Sequence, residues 1–173
     1  MNEGIKSTIV AGRSFDDGVE LFAAVVSVDL PGITLATVDI KGPGVMGTIA
    51  VPSTGQLDNM EHVVHIRGAG TNTERLARPG QHKQEFRYVQ DNYDPATGVM
   101  KQDQIKIFLD GLFREMDGGS VEQGAAIERS VTYNTRRMQV FINGRETVLI
   151  DKTQQQWVID GVDHWAPIRN ALA

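Results

Sequence analysis

The sequence predicts a mainly β domain. The expected form is an antiparallel β-sandwich or partial barrel, with one long extended hairpin or loop and one or two short helices. Three observations carry that reading. Over 126–142 the side chains alternate with a period of two. Ile127, Val131 and Tyr133 face one way, while Glu128, Ser130, Thr132 and Asn134 face the other. Asn143-Gly144 follows as a hairpin turn of the type that needs positive φ at both central positions. Glycine-rich points near 42–47, 68–70 and 118–124 punctuate the chain as turns between strands do. Antiparallel strands patterned this way bury one face and show the other.

The elements follow in order. Ser7 to Ala11 and Leu21 to Val28 read as strands, rich in Val, Ile and Ala, with Asp16-Asp17-Gly18 as the turn between them. Pro31-Gly32 signals a turn. Ile33 to Ile40 is extended, and so are Thr48 to Val51 and Met60 to Arg67. Residues 41–59 form a loop or an outlying hairpin. Thr71 to Leu76 is the early helix, capped by Asn72 or Thr71 and ended by Pro79-Gly80. Gln84 to Gln90 and Gln104 to Phe113 flank a turn containing Asn92, Pro95 and Gly98. After Arg136-Arg137 the apolar positions become Met138, Val140 and Ile142, one residue out of phase. A β-bulge or kink between Asn134 and Arg137 accounts for the slip. Glu146 to Asp151 returns as the partner strand. Trp165, Ile168 and Leu172 stand at helical spacing within a short C-terminal helix over Val162 to Ala173.

With 173 residues the chain fits a single domain, 1–173, large enough for a real core. A net charge of −5 argues against gripping nucleic acid through its phosphates. Cysteine is absent, which excludes disulfides and thiol chemistry. No run approaches the ~18 apolar residues of a membrane helix. The first residues lack the basic start and apolar stretch of a signal peptide.

The stretch KGPGVMG, Lys41 to Gly47, contains G-x-G-x-x-G at Gly42, Gly44 and Gly47. A phosphate-binding turn of that form needs a helix directly after it. Here Thr48-Ile49-Ala50-Val51-Pro52 follows, which favours a short strand, and Pro43 removes a donor from the supposed cradle. A flexible connection between extended segments is the better reading. His62 and His65 point to opposite faces of a strand and suit a surface or interface, not one ion. His82 and His164 stand alone. The Asp-rich turns lack the EF-hand spacing. Arg136 and Arg137 face opposite ways, as a partner-facing or solvated pair. Trp157 and Trp165 could stack on a sugar, although packing of the tail is the simpler role. No hydrolase, zinc-protease or Walker motif is present. The expectation is a binding or assembly protein with no catalytic set, metal or cofactor.

Residues 141–173, FINGRETVLIDKTQQQWVIDGVDHWAPIRNALA, resemble the C-terminal segment of tail tube proteins of contractile-tailed bacteriophages and R-type pyocins. The matching elements are Asn143-Gly144-Arg145-Glu146, Ile150-Asp151, Asp160-Gly161-Val162-Asp163 and Arg169-Asn170-Ala171-Leu172. Asp160 stands where the family usually has Asn, and the chain ends Leu172-Ala173 where Leu-Gly is common. Residues 28–52 look like the family's L-P-x-L/I turn, strand and glycine turn, and 109–119, LDGLFREMDGG, are similar to another family segment. Residues 68–100 do not align, and 13–27 are longer than usual.

The resemblance implies a structural virion protein. Members form hexameric rings that stack into a tube inside a contractile sheath, with strands of each subunit joined in a lumen-lining barrel. Lys41, Gly42, Pro43, Gly44, Val45, Met46 and Gly47 would belong to an assembly hairpin, part of a protrusion around 41–59 that reaches neighbouring subunits and rings. Glu128, Ser130, Thr132 and Asn134, or Thr37 and Asp39, are candidate polar faces for lumen or surface. Gly161, Val162, Asp163, Arg169, Asn170 and Leu172 carry the C-terminal motif. The implied partners are further copies, the tail sheath protein, the tape-measure protein, and baseplate and tail-terminator proteins. DNA would pass through the lumen without specific binding. The place is the virion tail, after assembly in the host cytoplasm. The resemblance spans infectious phages and phage-tail-like bacteriocins alike. The alternative is a β-sandwich glycan- or protein-binding module built on Trp157 or Trp165, and a nucleotide enzyme using the three glycines is a third reading.

Overall fold

A computed structural model describes residues 4–21 and 24–172. Among these, the strands are β1 (Ile5–Asp16), β2 (Val19–Glu20), β3 (Val25–Asp29), β4 (Leu35–Ile40), β5 (Ile49–Leu57) and β6 (Glu61–Arg67). After the helix α1 (Thr71–Arg75) come β7 (Gln81–Asp94), β8 (Val99–Asp117), β9 (Glu128–Ile142), β10 (Arg145–Asp151), β11 (Gln156–Ile159) and β12 (Val162–Asp163). The helix α2 (Ala166–Ala171) closes the chain. All pairings are antiparallel. The main sheet runs β12-β11-β10-β9-β8-β7-β1-β2, with β6 also on β9 and β3 on β6, while β4 and β5 make a separate two-stranded sheet. The main sheet does not close into a barrel.

The predicted irregularity in β9 organises this topology. Along one edge β9 pairs with β8 for most of its length. Along the other it pairs first with β6, from Glu128↔Arg67 to Asn134↔Glu61, and then with β10, from Arg137↔Asp151 to Ile142↔Arg145. The register slips between Gly111↔Thr135 and Asp110↔Arg137, so Arg136 is the extra residue of a bulge. The bulge sits where β9 changes neighbour. Thr135 N–H donates to Met60 O at 2.7 Å, and Lys152 N–H donates to Arg136 O at 3.1 Å. The slip also puts Thr135 and Met138 on the same buried face.

Tyr133 is the centre of the core and is fully buried. Its hydroxyl donates to Leu76 O, just beyond α1, at 2.7 Å. Its ring stacks on His62 with centroids 5.0 Å apart, and His82 lies 5.2 Å away. Burial pushes the Tyr133 phenol far above its ordinary range. His62 is buried between Thr135, whose Oγ1 lies 2.7 Å from Nδ1, and Gln84, whose Oε1 lies 2.9 Å from Nε2. The arrangement suits a neutral ring, with Nε2–H donating to Gln84 and the Thr135 hydroxyl donating to Nδ1. His82 does not stand alone. Its Nδ1 faces Asp16 Oδ1 at 3.0 Å and its Nε2 faces Arg78 O at 2.8 Å. Both partners of the ring are oxygens.

Several boundaries differ from the sequence reading. Asp16 is the buried end of β1, and the turn is Asp17-Gly18 alone, with φ of 47° and 80°. Of the Leu21–Val28 strand, β3 begins at Val25, and residues 22–23 lie outside the described residues. Residues 31–34 are an irregular link, not a turn. The expected interface histidine, His62, is buried, while His65 is exposed beside Asp29 at 3.0 Å. The α1 cap is Gly70, because Thr73 Oγ1 accepts from Gly70 N–H at 2.8 Å and donates back to Gly70 O at 2.7 Å. β7 and β8 reach past the expected ends, so Asn92 lies in a strand and the turn is 95–98. The C-terminal helix starts at Ala166, because the Asp160-Gly161 turn draws Val162 and Asp163 into the sheet. Ala173 lies outside the described residues.

Two measurements test this core. Burial pushes the His62 pKa down to about 4, against the Gln84 hydrogen bond and with the help of His82. The unfolded ring takes its proton near 6.5, so between those values only the unfolded chain is protonated. Stability present above pH 6.5 should be lost as pH falls towards 4, by about 3 kcal/mol. Denaturant midpoints across that range should slope accordingly, and His62→Gln should flatten the slope. At Gly111 an added Cβ would lie 2.8 Å from His62 Cε1 and 3.0 Å from Tyr133 Cβ. Gly111→Ala should therefore destabilise by about 1–3 kcal/mol in thermal or denaturant unfolding.

Candidate assembly surface

The separate sheet is an amphipathic hairpin. Its register sets Val38 opposite Val51 and Ile40 opposite Ile49, so these four share one face. Val38 is 60%, Val51 40%, Ile40 47% and Ile49 52% exposed. Thr37 with Pro52 and Asp39 with Ala50 make the other face.

 Both strands are therefore apolar on one side and polar or small on the other. The hairpin runs from Leu35 to Leu57 and so begins before the expected residue 41. At its tip Val45 N–H donates to Gly42 O at 3.1 Å, closing a turn with Pro43 and Gly44 at its centre. Gly44 has a φ of 90° and Gly47 of 101°, conformations that favour glycine. Gly42 has neither a positive φ nor a crowded surface. Met46 is fully exposed at the tip, Val45 is half-buried and Lys41 is exposed. β5 follows Gly47 where a phosphate site would need a helix.

The two candidate polar faces are not brought into one sheet. Thr37 and Asp39 lie on the hairpin. Glu128, Ser130, Thr132 and Asn134 lie on β9, between β6 and β8. Around the β9 set, acids are matched by bases. Glu128 accepts from Arg67 at 3.0 Å, His65 meets Asp29, and Arg114 bonds Glu61. Asn134 Oδ1 accepts from Asn59 Nδ2 at 3.3 Å. This face is mixed in charge.

The C-terminal motif divides into a latch and an exposed set. Asn143 and Gly144 take φ of 51° and 81° in the β9–β10 turn. The Asn143 side chain also reaches β8, accepting from Gln104 N–H at 2.9 Å and donating to Asp103 at 2.9 Å. Lys6, 2.6 Å away, and Asn143 hold the Asp103 carboxyl below its ordinary range. Ile150 is fully buried, and Asp151 accepts from the Thr153 and Gln154 backbone at 2.9 and 3.0 Å. Gly161 supplies a φ of 82° beside Asp160, which Arg145 bonds. Asp163 accepts from Trp165 N–H at 2.9 Å and from Arg169 at 2.5 Å. Arg169 also donates to Gln155 O at 3.0 Å. Val162, Asn170 and Leu172 are exposed.

The other candidates are engaged within the fold. Trp157 packs on the core, and Trp165 Nε1 donates to Gly55 O at 2.7 Å. Arg136 bonds Asp110 at 2.5 Å, and Arg137 reaches Gln139 at 3.2 Å. Asp16, Asp17 and His82 lie close enough to share an ion. Asp17 is already met by Arg78 at 2.6 Å and Asp16 by His82, so the cluster is satisfied from within. Neither the Asp16–His82 pair nor the Trp165–Gly55 bond is legible in the sequence, because each joins residues far apart in the chain.

The family model described as phage tail tube protein FII matches residues 6–172. No curated protein sequence matches the chain. One solved structure, the sheath/tube terminator of the PVC extracellular contractile injection system in its extended state, is similar with a TM-score of 0.48 and 9% identity, over 78% of this chain and 96% of that one. The sheath–tube complex of the same system gives 0.47 and 11%, over 75% and 87%. The anti-feeding prophage baseplate gives 0.44 and 9%, over 79% and 97%. With the family model matched across nearly its whole length, the chain belongs to the phage tail tube protein FII family.

Proposed function

We propose that this chain is the repeating subunit of the inner tube of a contractile tail. Six copies form a ring, and rings stack into a conduit that delivers genome or another cargo through a host envelope. The role is structural, without catalysis. The observation that carries the reading is the hairpin β4–β5, whose face of Val38, Ile40, Ile49 and Val51 is 40–60% exposed among the described residues. A hairpin of two strands is marginal alone, and a partner that buried this face would gain about 1.5–3 kcal/mol per side chain. Lys41 to Gly47 form the tip of that element, within the protrusion around 41–59.

The main sheet supports the same reading. Among the described residues, β1 pairs with β2 only at its end and β3 pairs only with β6, which leaves an edge open on each strand. Free edges accept further strands. A surface that meets a different surface on the next copy closes into rings or extends as filaments. The polar set Glu128, Ser130, Thr132 and Asn134, or Thr37 with Asp39, would face the exterior or the lumen, and DNA would pass through the lumen without specific binding. Sheath, tape-measure, baseplate and terminator proteins would be the other partners. The exposed Val162, Asn170 and Leu172 are available for such contacts.

Negative-stain electron microscopy of the concentrated chain should show six-fold rings or tubes. Replacing Ile40 by Lys and Ile49 by Glu keeps an attractive cross-strand pair but removes half of the apolar face. That variant should unfold within about 0.5 kcal/mol of the parent and fail to assemble. Tubes formed equally well by the variant would rule out this face as the contact.

A further inference from the structure

We propose that the C-terminal segment is a brace that fixes the pitch of the β4–β5 hairpin on the domain. The proposal rests on the assembly reading of the hairpin and adds the part that positions it. Among the described residues, the hairpin has its own sheet and shares no strand pairing with the main one. Among the described residues, one side-chain hydrogen bond joins its strands to the rest of the chain. Trp165 Nε1 donates to Gly55 O at 2.7 Å.

The donor is held in place. Asp163 accepts from the Trp165 backbone, Arg169 grips Asp163 at 2.5 Å, and Arg169 is itself tied to Gln155 O at 3.0 Å. The acceptor is shaped for the contact. Gly55 has a φ of +86°, and an added Cβ would run into Ile168 Cδ1 and lie 2.8 Å from Trp165 Nε1. Conformation and space both require glycine there. Just past the hairpin, Lys152 Nζ donates to Asp58 O at 2.7 Å. A cavity of about 260 Å³ lies beside these contacts, lined by Gly55, Leu57, Lys152, Trp157 and Trp165. The hairpin thus leans on directed bonds, on Leu57 packed against the core and on the close approach of Gly55 to Trp165. Fixing its direction before association removes part of the ordering cost when copies meet. Asp163 and Arg169 of the C-terminal motif acquire a purpose: they set Trp165.

The test uses the full chain with Trp165→Phe and, separately, Gly55→Ala. Amide hydrogen exchange is followed in dilute, unassembled protein, and tubes are counted by electron microscopy at high concentration. Loss of one such bond should speed exchange of hairpin amides near Val38 and Val51 about fivefold to tenfold. Amides of Tyr133 and Ile107 should keep their protection, and tube yield should fall. Unchanged hairpin exchange in both variants would overturn the brace, as would equal acceleration in hairpin and core. Parent protein that forms no tubes would count against the assembly reading, while the exchange comparison would still decide the brace.

Discussion

The single extra residue in β9 is the constraint on which the rest of the structure depends. A strand has two edges, and β8 occupies one of them almost throughout. The other must serve both β6 and β10. Arg136 makes that possible. Its bulge ends the pairing with β6, lets Met60 and Lys152 take the backbone groups at the junction, and restores the inward phase at Met138. The branch β10-β11-β12, the C-terminal latch and the brace under the hairpin all follow from that change of neighbour.

The bulge also explains why the core is partly polar. It places Thr135 beside His62, and His62 against Tyr133. Tyr133 needs an acceptor once buried and finds it at Leu76 O, so α1 is tied to the sheet by a directed bond as well as by packing. Gly111 follows from the same crowding, since His62 and Tyr133 occupy the space a side chain would take. Such a network specifies one arrangement, but it leaves one buried imidazole, His62, whose protonation opposes folding in acid.

The outer parts obey a different logic. The hairpin exposes aliphatic residues that a monomer gains nothing by showing. Its glycines mark real demands only at Gly44, Gly47 and Gly55, two from φ alone and one from φ with space. The G-x-G-x-x-G spelling is incidental, because the strand after it has no helix dipole to offer a phosphate. Family membership and the exposed apolar face point to assembly for separate reasons, one of descent and one of surface chemistry.

Local pattern alone determined the β class, the Asn143-Gly144 turn, the phase slip in β9 and the family. Each is written in adjacent residues, as alternation, as a turn pair or as a motif. Strand lengths and helix ends were less legible, because pairing extends β7 and β8 past their apolar runs and the Asp160-Gly161 turn competes with the helix after it. Only the tertiary structure decided the partners of His82 and Trp165. Asp16 lies 66 residues from His82, and Gly55 lies 110 from Trp165. A buried polar side chain is satisfied by whatever the fold brings to it. Periodicity in the sequence reports which face a residue turns to, and it carries no information about the residue waiting there.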